Sequence, residues 1–332
     1  QSMSKSKKIV LTGGGSAGHI TPNIALLPKL GQMGYEISYI GSYQGMEKKL
    51  IADYDIPYYG ISTGKFRRYF DLKNFTDPFR VLKGFGEARR ILKDIRPDIV
   101  FSKGGFVSVP VVRAAASLKI PCVIHESDMS PGLANKLCIP VSCRVCCNFP
   151  ETLQSLPSSK AVLTGSPIRE ELTKGSAAAG MKLCRFSSGK PILMVIGGSL
   201  GAAAINQVVR EALPRLLEDF QIVHICGNEK IDNLLLNQNG YVQFEYLKSE
   251  LKDVFAMADV VISRAGANAI CELLALRKPN LLIPLSVGSR GDQILNARSF
   301  EAQGFSLVID EDYLSPDLLV EKVQELYFNR QT

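Results

Sequence analysis

Residues 9–19 read IVLTGGGSAGH, and residues 192–206 read ILMVIGGSLGAAAIN. In both stretches an apolar run leads into a glycine loop and then into a segment with helical periodicity. This order of strand, glycine loop and helix begins a doubly wound α/β domain, in which the loop and the helix N-terminus offer backbone N–H groups to an anion. The chain therefore predicts two domains of the same kind.

Short apolar runs alternate with helical segments along both halves, as in parallel sheets covered by helices on both faces. The predicted strands are 9–12, 37–41, 56–61, 98–102, 122–125, 145–148, 192–196, 221–226, 242–247, 260–263, 281–284 and 306–309, with helical patterns at 78–95 and 107–118 among those between them. We predict Rossmann-like domains over 3–165 and 190–314, and a Gly-, Ala- and Ser-rich linker over 166–189. Residues 315–332 predict a helix that packs back towards the first domain.

Composition limits the class of protein. At 332 residues, 46% of them hydrophobic, the chain can bury two cores. It has no run of about 18 apolar residues that could span a bilayer, and its polar, basic N-terminal residues predict no secretory signal. Eight scattered cysteines suit a reducing cytoplasm. Cys143, Cys146 and Cys147 predict buried structural thiols rather than a metal site, since the histidines lie far away in sequence.

Charge is distributed unevenly. Residues 1–165 carry 22 Lys and Arg against 12 Asp and Glu, a net +10, whereas residues 166–332 carry 17 against 20, a net −3. The basic half is expected to face an anion: nucleic acid, a membrane surface or a phosphorylated substrate. No nucleic-acid-binding motif accompanies the charge, so we predict no nucleic-acid partner.

The basic residues concentrate in 65–93, where nine Lys and Arg and three acids are interleaved with aromatics. Two interpretations remain open: docking onto an anionic bilayer, or an amphipathic helix that buries its aromatic side chains in the core. The candidate membrane-contacting residues are Phe66, Arg67, Arg68, Phe70, Phe75, Phe79 and Lys83.

The first glycine loop fits G-x-G-x-x-G at Gly13, Gly15 and Gly18. A dinucleotide site also needs an acidic residue at the end of the second strand. The only acid near that strand, Glu36, lies at its other end, so the pattern does not favour NAD. His19 instead places a titratable group where the domains are expected to form a cleft. The alternative is a tight turn whose histidine faces water.

Four further segments stand at predicted strand ends. They read FSKGGFVSVP at 101–110, HESDMSPGLANK at 125–136, SRAGANAICELLALRKPNLLIPL at 263–285 and SRGDQILNA at 289–297. Together with GGGSAGH, in this order and spacing, they resemble the MurG family over 9–303. The resemblance implies the GT-B architecture, two Rossmann-like domains separated by a deep cleft. It also implies inverting transfer of N-acetylglucosamine from its UDP donor to the C4 hydroxyl of muramyl-pentapeptide pyrophosphoryl-undecaprenol, a peptidoglycan precursor.

The resemblance places the UDP-sugar mainly on the second domain. The positions matched to donor binding are Ser16, Ala17, Gly18, Asp128, Arg169, Ser199, Leu247, Ala267, Asn268, Ala269, Ile270, Glu272, Gln293 and Asn296. Arg169 would approach the phosphates and Glu272 the ribose hydroxyls, although either alone could be a surface charge. Asn268 could equally be a helix N-cap.

The resemblance places the lipid acceptor on the first domain, near the cytoplasmic face of the plasma membrane. Its pyrophosphate is implied at the GGGSAGH loop, and the matched positions are Gly14, Gly15, Gly104, Gly105 and Asn135. His19 is the first candidate for the catalytic base, because imidazole titrates near working pH. Glu126 and Asp128 are rivals, and His125 is expected to be structural.

Three positions depart from the family's commoner pattern: Ala17 replaces a glycine, Asp128 an asparagine and Leu200 a polar residue. No Asp-x-Asp pair occurs in a suitable loop, so we expect no permanently bound cofactor and no obligatory metal. The alternatives are another UDP-sugar GT-B enzyme, such as a glycolipid transferase or a UDP-sugar 2-epimerase, or a non-catalytic nucleotide-sugar-binding protein.

Overall fold

The structure is a computed structural model that describes residues 6–63, 78–197, 202–286 and 292–329. The chain divides into two compact units, Gln1–Pro167 and Ile168–Thr332. Each unit contains a parallel sheet flanked by helices, which confirms the predicted fold class.

The first unit has a sheet in the order β3-β2-β1-β4-β5-β6-β7. Its strands are β1 Lys7–Thr12, β2 Tyr35–Ser42, β3 Tyr58–Ile61, β4 Ile99–Ser102, β5 Cys122–Glu126, β6 Arg144–Cys147 and β7 Ala161–Leu163. Its helices are α1 Thr21–Gln32, α2 Met46–Ile51, α3 Pro78–Ile95, α4 Ser108–Ser117 and α5 Leu133–Cys138. The strand order reverses beside β1, between β1 and β4, and ligands of doubly wound sheets bind at such a point.

The second unit repeats this plan in the order β10-β9-β8-β11-β12-β13. Its strands are β8 Ile192–Ile196, β9 Gln221–Ile225, β10 Tyr241–Phe244, β11 Val260–Ser263, β12 Asn280–Leu282 and β13 Leu307–Val308. Its helices are α6 Ala177–Cys184, α7 Ala203–Asp219, α8 Leu251–Met257, α9 Ala267–Ala275, α10 Asp292–Ala302 and α11 Pro316–Phe328.

Both faces of the first sheet are covered. Val10 and Leu11 are neighbours on β1 and fully buried, yet Val10 belongs to the core that includes α3 and α4, and Leu11 to the core that includes α1. Successive side chains of a strand point to opposite faces, so a strand buried on both sides is apolar without alternation. Full burial of each such side chain stabilises the fold by roughly 1.5–3 kcal/mol.

The predicted linker over 166–189 differs from the observed structure. This segment contains a 3₁₀ helix, Glu170–Lys174, and α6, and both pack on α8 within the second unit. A Cβ on Gly175 would lie 1.9 Å from the Lys252 carbonyl oxygen, and one on Gly180 would lie 2.5 Å from that of Asp253. The small residues therefore permit close helix packing rather than forming a flexible connection.

A further difference concerns the edge strand of the first sheet. The sequence pattern misses β7, a three-residue strand in which Val162 and Leu163 are exposed and therefore show no apolar alternation. Helix α11 buries Leu319 and Val323 in the core of its own unit. Its predicted packing towards the first domain stays a prediction.

The thiol prediction is partly wrong. Cys147 is buried, but Cys146 is half-buried and Cys143 is exposed. No group of three or more His, Cys, Asp or Glu in the described part of the chain is arranged to hold a metal ion. Of the helices within the described ranges, none has the length and apolarity needed to cross a membrane.

Candidate functional site

The loop after β1 is fixed by buried side chains beneath it. The Tyr39 hydroxyl donates to the Gly13 carbonyl oxygen at 2.6 Å, and Asn23 Nδ2 donates to the Thr12 carbonyl oxygen at 3.0 Å. Gly13 requires the left-handed region (φ 151°), and a Cβ there would lie 2.5 Å from the His19 carbonyl oxygen. Ala17 instead begins a 3₁₀ helix, Ala17–His19, so its methyl group needs no left-handed backbone.

His19 is oriented by the same loop. Its Nδ1 lies 2.9 Å from the Gly14 carbonyl oxygen and 3.2 Å from Ser16 Oγ. Because a carbonyl oxygen only accepts, Nδ1 carries the proton and Nε2 has a lone pair. Burial lowers the pKa of His19, and the Lys103 charge lowers it further, against the Gly14 hydrogen bond and the Glu47 charge. The imidazole is therefore neutral at pH 7 and can accept a proton at Nε2.

Glu47 belongs to the site although no sequence pattern indicates it. This buried residue of α2 accepts through Oε1 from the Ser42 N–H at 2.9 Å and the Ser42 hydroxyl at 2.5 Å, and its Oε2 lies 3.5 Å from the Gly15 nitrogen. A Cβ on Gly14 would lie 2.6 Å from its carboxyl carbon. Glu47 thus supports the glycine loop from the β2 side. In sequence it stands beside two lysines and suggests a surface charge.

The two predicted acceptor loops meet. The Gly14 N–H donates to the Gly104 carbonyl oxygen at 3.2 Å. A Cβ on Gly105 would lie 2.2 Å from the Gly14 carbonyl oxygen and 3.2 Å from His19 Nδ1. Gly104 and Gly105 have φ values of 104° and 85°, a backbone that favours glycine, and Gly105 also lacks room for a side chain. The structure therefore brings Gly14, Gly15, Gly104, Gly105 and His19 together.

Glu126 organises the turn that carries Asp128. Its Oε1 accepts from the Asp128 N–H at 3.0 Å, while its Oε2 accepts from the Gly132 N–H at 3.1 Å and from Asn135 Nδ2 at 2.8 Å. Burial raises its pKa, and these hydrogen bonds oppose that shift. Asp128 is half-buried. With three donors already on its oxygens, Glu126 fits a structural role better than that of a base.

Asn135 faces the Gly104 loop. A Cβ on Gly104 would lie 3.5 Å from both its Nδ2 and its Oδ1. Its Oδ1 is buried and has no hydrogen-bond partner among the described residues. The implied contact of Asn135 with the acceptor stays a prediction.

In the second unit, Arg169 and Glu272 form an ion pair with Nη2 3.2 Å from Oε1, although they lie far apart in sequence. Burial raises the pKa of Glu272, and the Arg169 charge opposes that shift. Arg169 Nε is buried and lacks a hydrogen-bond partner within the described ranges. The predicted phosphate residue and the predicted ribose residue are thus adjacent, which sequence reasoning does not foresee.

Helix α9 carries Glu272 in its second turn. Its N-cap is Gly266, so Asn268 is not the N-cap. The Ile270 N–H donates to the Gly266 carbonyl oxygen at 3.1 Å and serves the helix itself. The amides of Ala267, Asn268 and Ala269 form the first turn, whose N–H groups point out of a helix along its axis.

Gln293 and Asn296 hold the loops around α9. Gln293 Oε1 accepts from the Leu285 N–H at 2.9 Å and lies 3.4 Å from the Ala265 nitrogen, while Asn296 Nδ2 donates to the Ala265 carbonyl oxygen at 3.1 Å. Their implied roles in donor binding stay predictions, as does that of half-buried Leu247. Ser199 and Leu200, with Phe66, Arg67, Arg68, Phe70 and Phe75, lie outside the described residues.

Two buried histidines have structural roles. His125 Nε2 lies 2.8 Å from the Gly165 carbonyl oxygen, which confirms its predicted structural role, and His224 Nε2 lies 2.8 Å from Asn206 Oδ1. Burial lowers the pKa of each to about 3, helped by the charge of Lys103 and of Arg210 respectively.

The low pKa values of His125 and His224 predict that acid lowers the stability of the fold. An unfolded histidine titrates near 6.5, so the unfolded chain binds more protons than the folded chain as pH falls from 6.5 towards 3. Stability therefore rises with pH and is lost on acidification, by up to about 1.4 kcal/mol per pH unit for each histidine. The free energy of unfolding, measured with urea at several pH values in this window, should rise less steeply with pH in His224→Gln, by up to about 1.4 kcal/mol per pH unit. An unchanged slope would contradict this prediction.

Two doubly wound units, each with a glycine loop at the carboxyl edge of a parallel sheet, define the GT-B class of glycosyltransferases. Within this class the chain belongs to glycosyltransferase family 28. The model of the family's N-terminal domain matches residues 9–145, and that of its C-terminal domain matches residues 192–332.

Relatives cover nearly the whole chain. The UDP-N-acetylglucosamine–N-acetylmuramyl-(pentapeptide) pyrophosphoryl-undecaprenol N-acetylglucosamine transferase of Lachnospira eligens is 63% identical over 98% of this chain and 92% of its own length. The transferase of the same name from Lachnoclostridium phytofermentans is 60% identical over the same shares.

Solved structures share the fold. Acinetobacter baumannii MurG has a TM-score of 0.78 at 27% identity, covering 97% of this chain and 90% of that one. A putative UDP-N-acetylglucosamine 2-epimerase from Listeria monocytogenes covers 98% of this chain and 89% of its own, with a TM-score of 0.63 at 12% identity, which shows the fold alone.

Proposed function

We infer that the chain transfers N-acetylglucosamine from UDP-N-acetylglucosamine to the C4 hydroxyl of muramyl-pentapeptide pyrophosphoryl-undecaprenol, with inversion at the anomeric carbon. Relatives that carry this activity in their names are 63% and 60% identical over 98% of the chain. The observation that carries the chemistry is the placement of the neutral His19 imidazole between two glycine loops at the switch point of the first sheet.

On the acceptor side, His19 Nε2 takes the proton of the attacking hydroxyl. Its Nδ1–H is held by the Gly14 carbonyl oxygen, which fixes both the tautomer and the ring orientation. Glu126 is the weaker candidate because its oxygens already accept three hydrogen bonds. The loops that contain Gly15 and Gly104 receive the pyrophosphate through backbone N–H groups.

On the donor side, the departing UDP gains negative charge that must be stabilised. Arg169 supplies a guanidinium, and the first turn of α9 supplies amides at the positive end of a helix dipole. Glu272 accepts from the ribose hydroxyls. We propose that these groups suffice without an obligatory metal and without a bound cofactor.

Acceptor-dependent release of UDP tests this assignment against its alternatives. The transferase releases UDP from UDP-N-acetylglucosamine only when the lipid-linked acceptor is present. An epimerase converts the donor without an acceptor, and a binding protein retains UDP without turnover. Either of these results would contradict the proposed activity.

We propose that the first unit also docks on the anionic cytoplasmic face of the plasma membrane. Helix α3 buries Ala88 and Leu92 in the core, but its first turns expose Phe79 by 80% and Leu82 by 65%, beside the exposed Lys83. Exposed apolar side chains next to cationic ones are typical of interfacial binding.

Flotation with anionic vesicles measures this docking. Phe79→Ser combined with Leu82→Ser should lower the vesicle partition coefficient by at least about 100-fold, because each apolar side chain that leaves the membrane loses about 1.5–3 kcal/mol and every 1.4 kcal/mol is about tenfold. Leu234→Ser is a matched control, since Leu234 is 93% exposed but lies in the second unit. Equal binding by the unmodified protein, the double variant and Leu234→Ser would contradict the proposal.

A further inference from the structure

Lys103 is a buried cation at the centre of the acceptor side. It directly precedes Gly104 and Gly105 and is only 1% exposed. Its Nζ lies 2.7 Å from His125 Nδ1 and 2.6 Å from Ser127 Oγ. Lysine is rarely buried to this extent unless its ammonium is hydrogen-bonded, so these contacts define its place in the fold.

The contacts join separate segments of the first unit. Lys103 donates to His125 Nδ1, so the His125 proton resides on Nε2, which donates to the Gly165 carbonyl oxygen at 2.8 Å. The contact with Ser127 reaches the turn that carries Asp128, one residue further on. The Lys103 side chain thus connects the loop after β4 to the end of β5 and, through His125, to the residues after β7.

Lys103 also lies close to the loop that carries His19. Its backbone N–H donates to the Thr12 carbonyl oxygen at 3.0 Å, and its Cβ would lie 3.2 Å from a Cβ on Gly13. Among the described residues, two charged groups act on His19: Lys103 lowers its pKa and the Glu47 carboxylate raises it. The other polar contacts of the ring are the Gly14 carbonyl oxygen and Ser16 Oγ.

We propose that Lys103 is a positioning residue for the transfer reaction: its ammonium fastens the Gly104–Gly105 loop to the turn carrying Asp128 and sets the electrostatic environment of His19. Lys103 acts through these groups and not by direct contact with substrate, because its side chain is buried. The electrostatic part rests on the proposed role of His19 as the base. The fastening part rests only on the contacts of Lys103 itself.

Three variants separate charge from hydrogen bonding. Lys103→Met removes both, Lys103→Gln keeps a donor without charge, and Lys103→Arg keeps the charge. Lys103→Met should lower kcat by roughly 10- to 100-fold and raise the acceptor KM, because the loops lose their register. The donor KM should change by less than about threefold.

The pH profile provides a readout that a merely structural role would not move. Without the cation, protonation of His19 becomes easier, so the acid limb of the kcat/KM profile for the acceptor should shift to higher pH by roughly one unit in Lys103→Met and Lys103→Gln. Lys103→Arg should keep the limb of the parent protein. The thermal midpoint of Lys103→Met should fall by several degrees, because buried His125 Nδ1 loses its donor and Ser127 Oγ loses a partner, so the activities are compared well below that midpoint.

Either of two results would overturn the proposal: Lys103→Met with the parent's kcat, acceptor KM and acid limb, or the same limb shift in Lys103→Arg as in Lys103→Met. His19→Asn distinguishes this failure from failure of the base assignment. If the acid limb persists in His19→Asn, His19 is not the base, and the acceptor KM of Lys103→Met alone decides whether Lys103 fastens the loops.

Discussion

Replacing His19 by alanine lowers kcat by roughly 10²- to 10⁴-fold, the usual contribution of a positioned general base. The KM for the UDP-sugar changes by less than about threefold, because the lost interaction acts only in the transition state. The imidazole suits this role because its Nδ1 is fixed on the Gly14 carbonyl oxygen and its Nε2 keeps a lone pair.

His19→Asn separates proton transfer from loop positioning. An asparagine amide can donate to the Gly14 carbonyl oxygen, as Nδ1 does, but it cannot serve as a base at neutral pH. We expect His19→Asn to be nearly as inactive as His19→Ala. Recovery of most of the activity in His19→Asn would show that the ring only supports the loop.

The pH dependence of the unmodified protein follows from the same environment. A base must be unprotonated, so kcat/KM for the acceptor falls as pH decreases through the pKa of His19 in the free protein. Burial and the Lys103 charge lower that pKa below its ordinary value of 6.5, so the acid limb should lie below pH 6.5. A limb above 6.5 would contradict the proposed role.

Replacing Glu272 by alanine raises the KM for the UDP-sugar by roughly 10- to 100-fold, since hydrogen bonds to a charged group contribute about 1.5–3 kcal/mol. The acceptor KM should stay nearly constant. Glu170→Ala is the matched control: Glu170 lies in the same unit and also forms an ion pair, with Lys174, but its side chain is 62% exposed. A donor KM unchanged in Glu272→Ala would remove Glu272 from the donor site.

The strands and the meeting of the two acceptor loops are predictable because they depend on local patterns. An apolar run followed by glycine marks a parallel strand and its carboxyl end, and the ends of β1 and β4 must be adjacent once the two strands pair. The contact between Gly14 and Gly104 follows directly from that pairing.

Glu47 and Lys103 are not predictable in this way. Each is a charged residue that local sequence assigns to the surface, and each is buried because tertiary structure gives it hydrogen-bond partners and places glycines beside it. At Gly175 and Gly180 the error is the opposite one, because residues predicted to be loosely packed lie in tight contact. Their composition suggests a flexible linker, whereas tertiary packing uses them to bring backbones close together.

The most direct test of the central claim is transfer of labelled N-acetylglucosamine to a short-chain lipid-linked muramyl-pentapeptide, with UDP-glucose and UDP-N-acetylgalactosamine in parallel. Analysis of the product gives both the sugar transferred and its anomeric configuration. We predict selective formation of a β-linked N-acetylglucosaminyl product at the C4 hydroxyl. Absence of transfer despite tight UDP binding, or a product with retained configuration, would contradict the account.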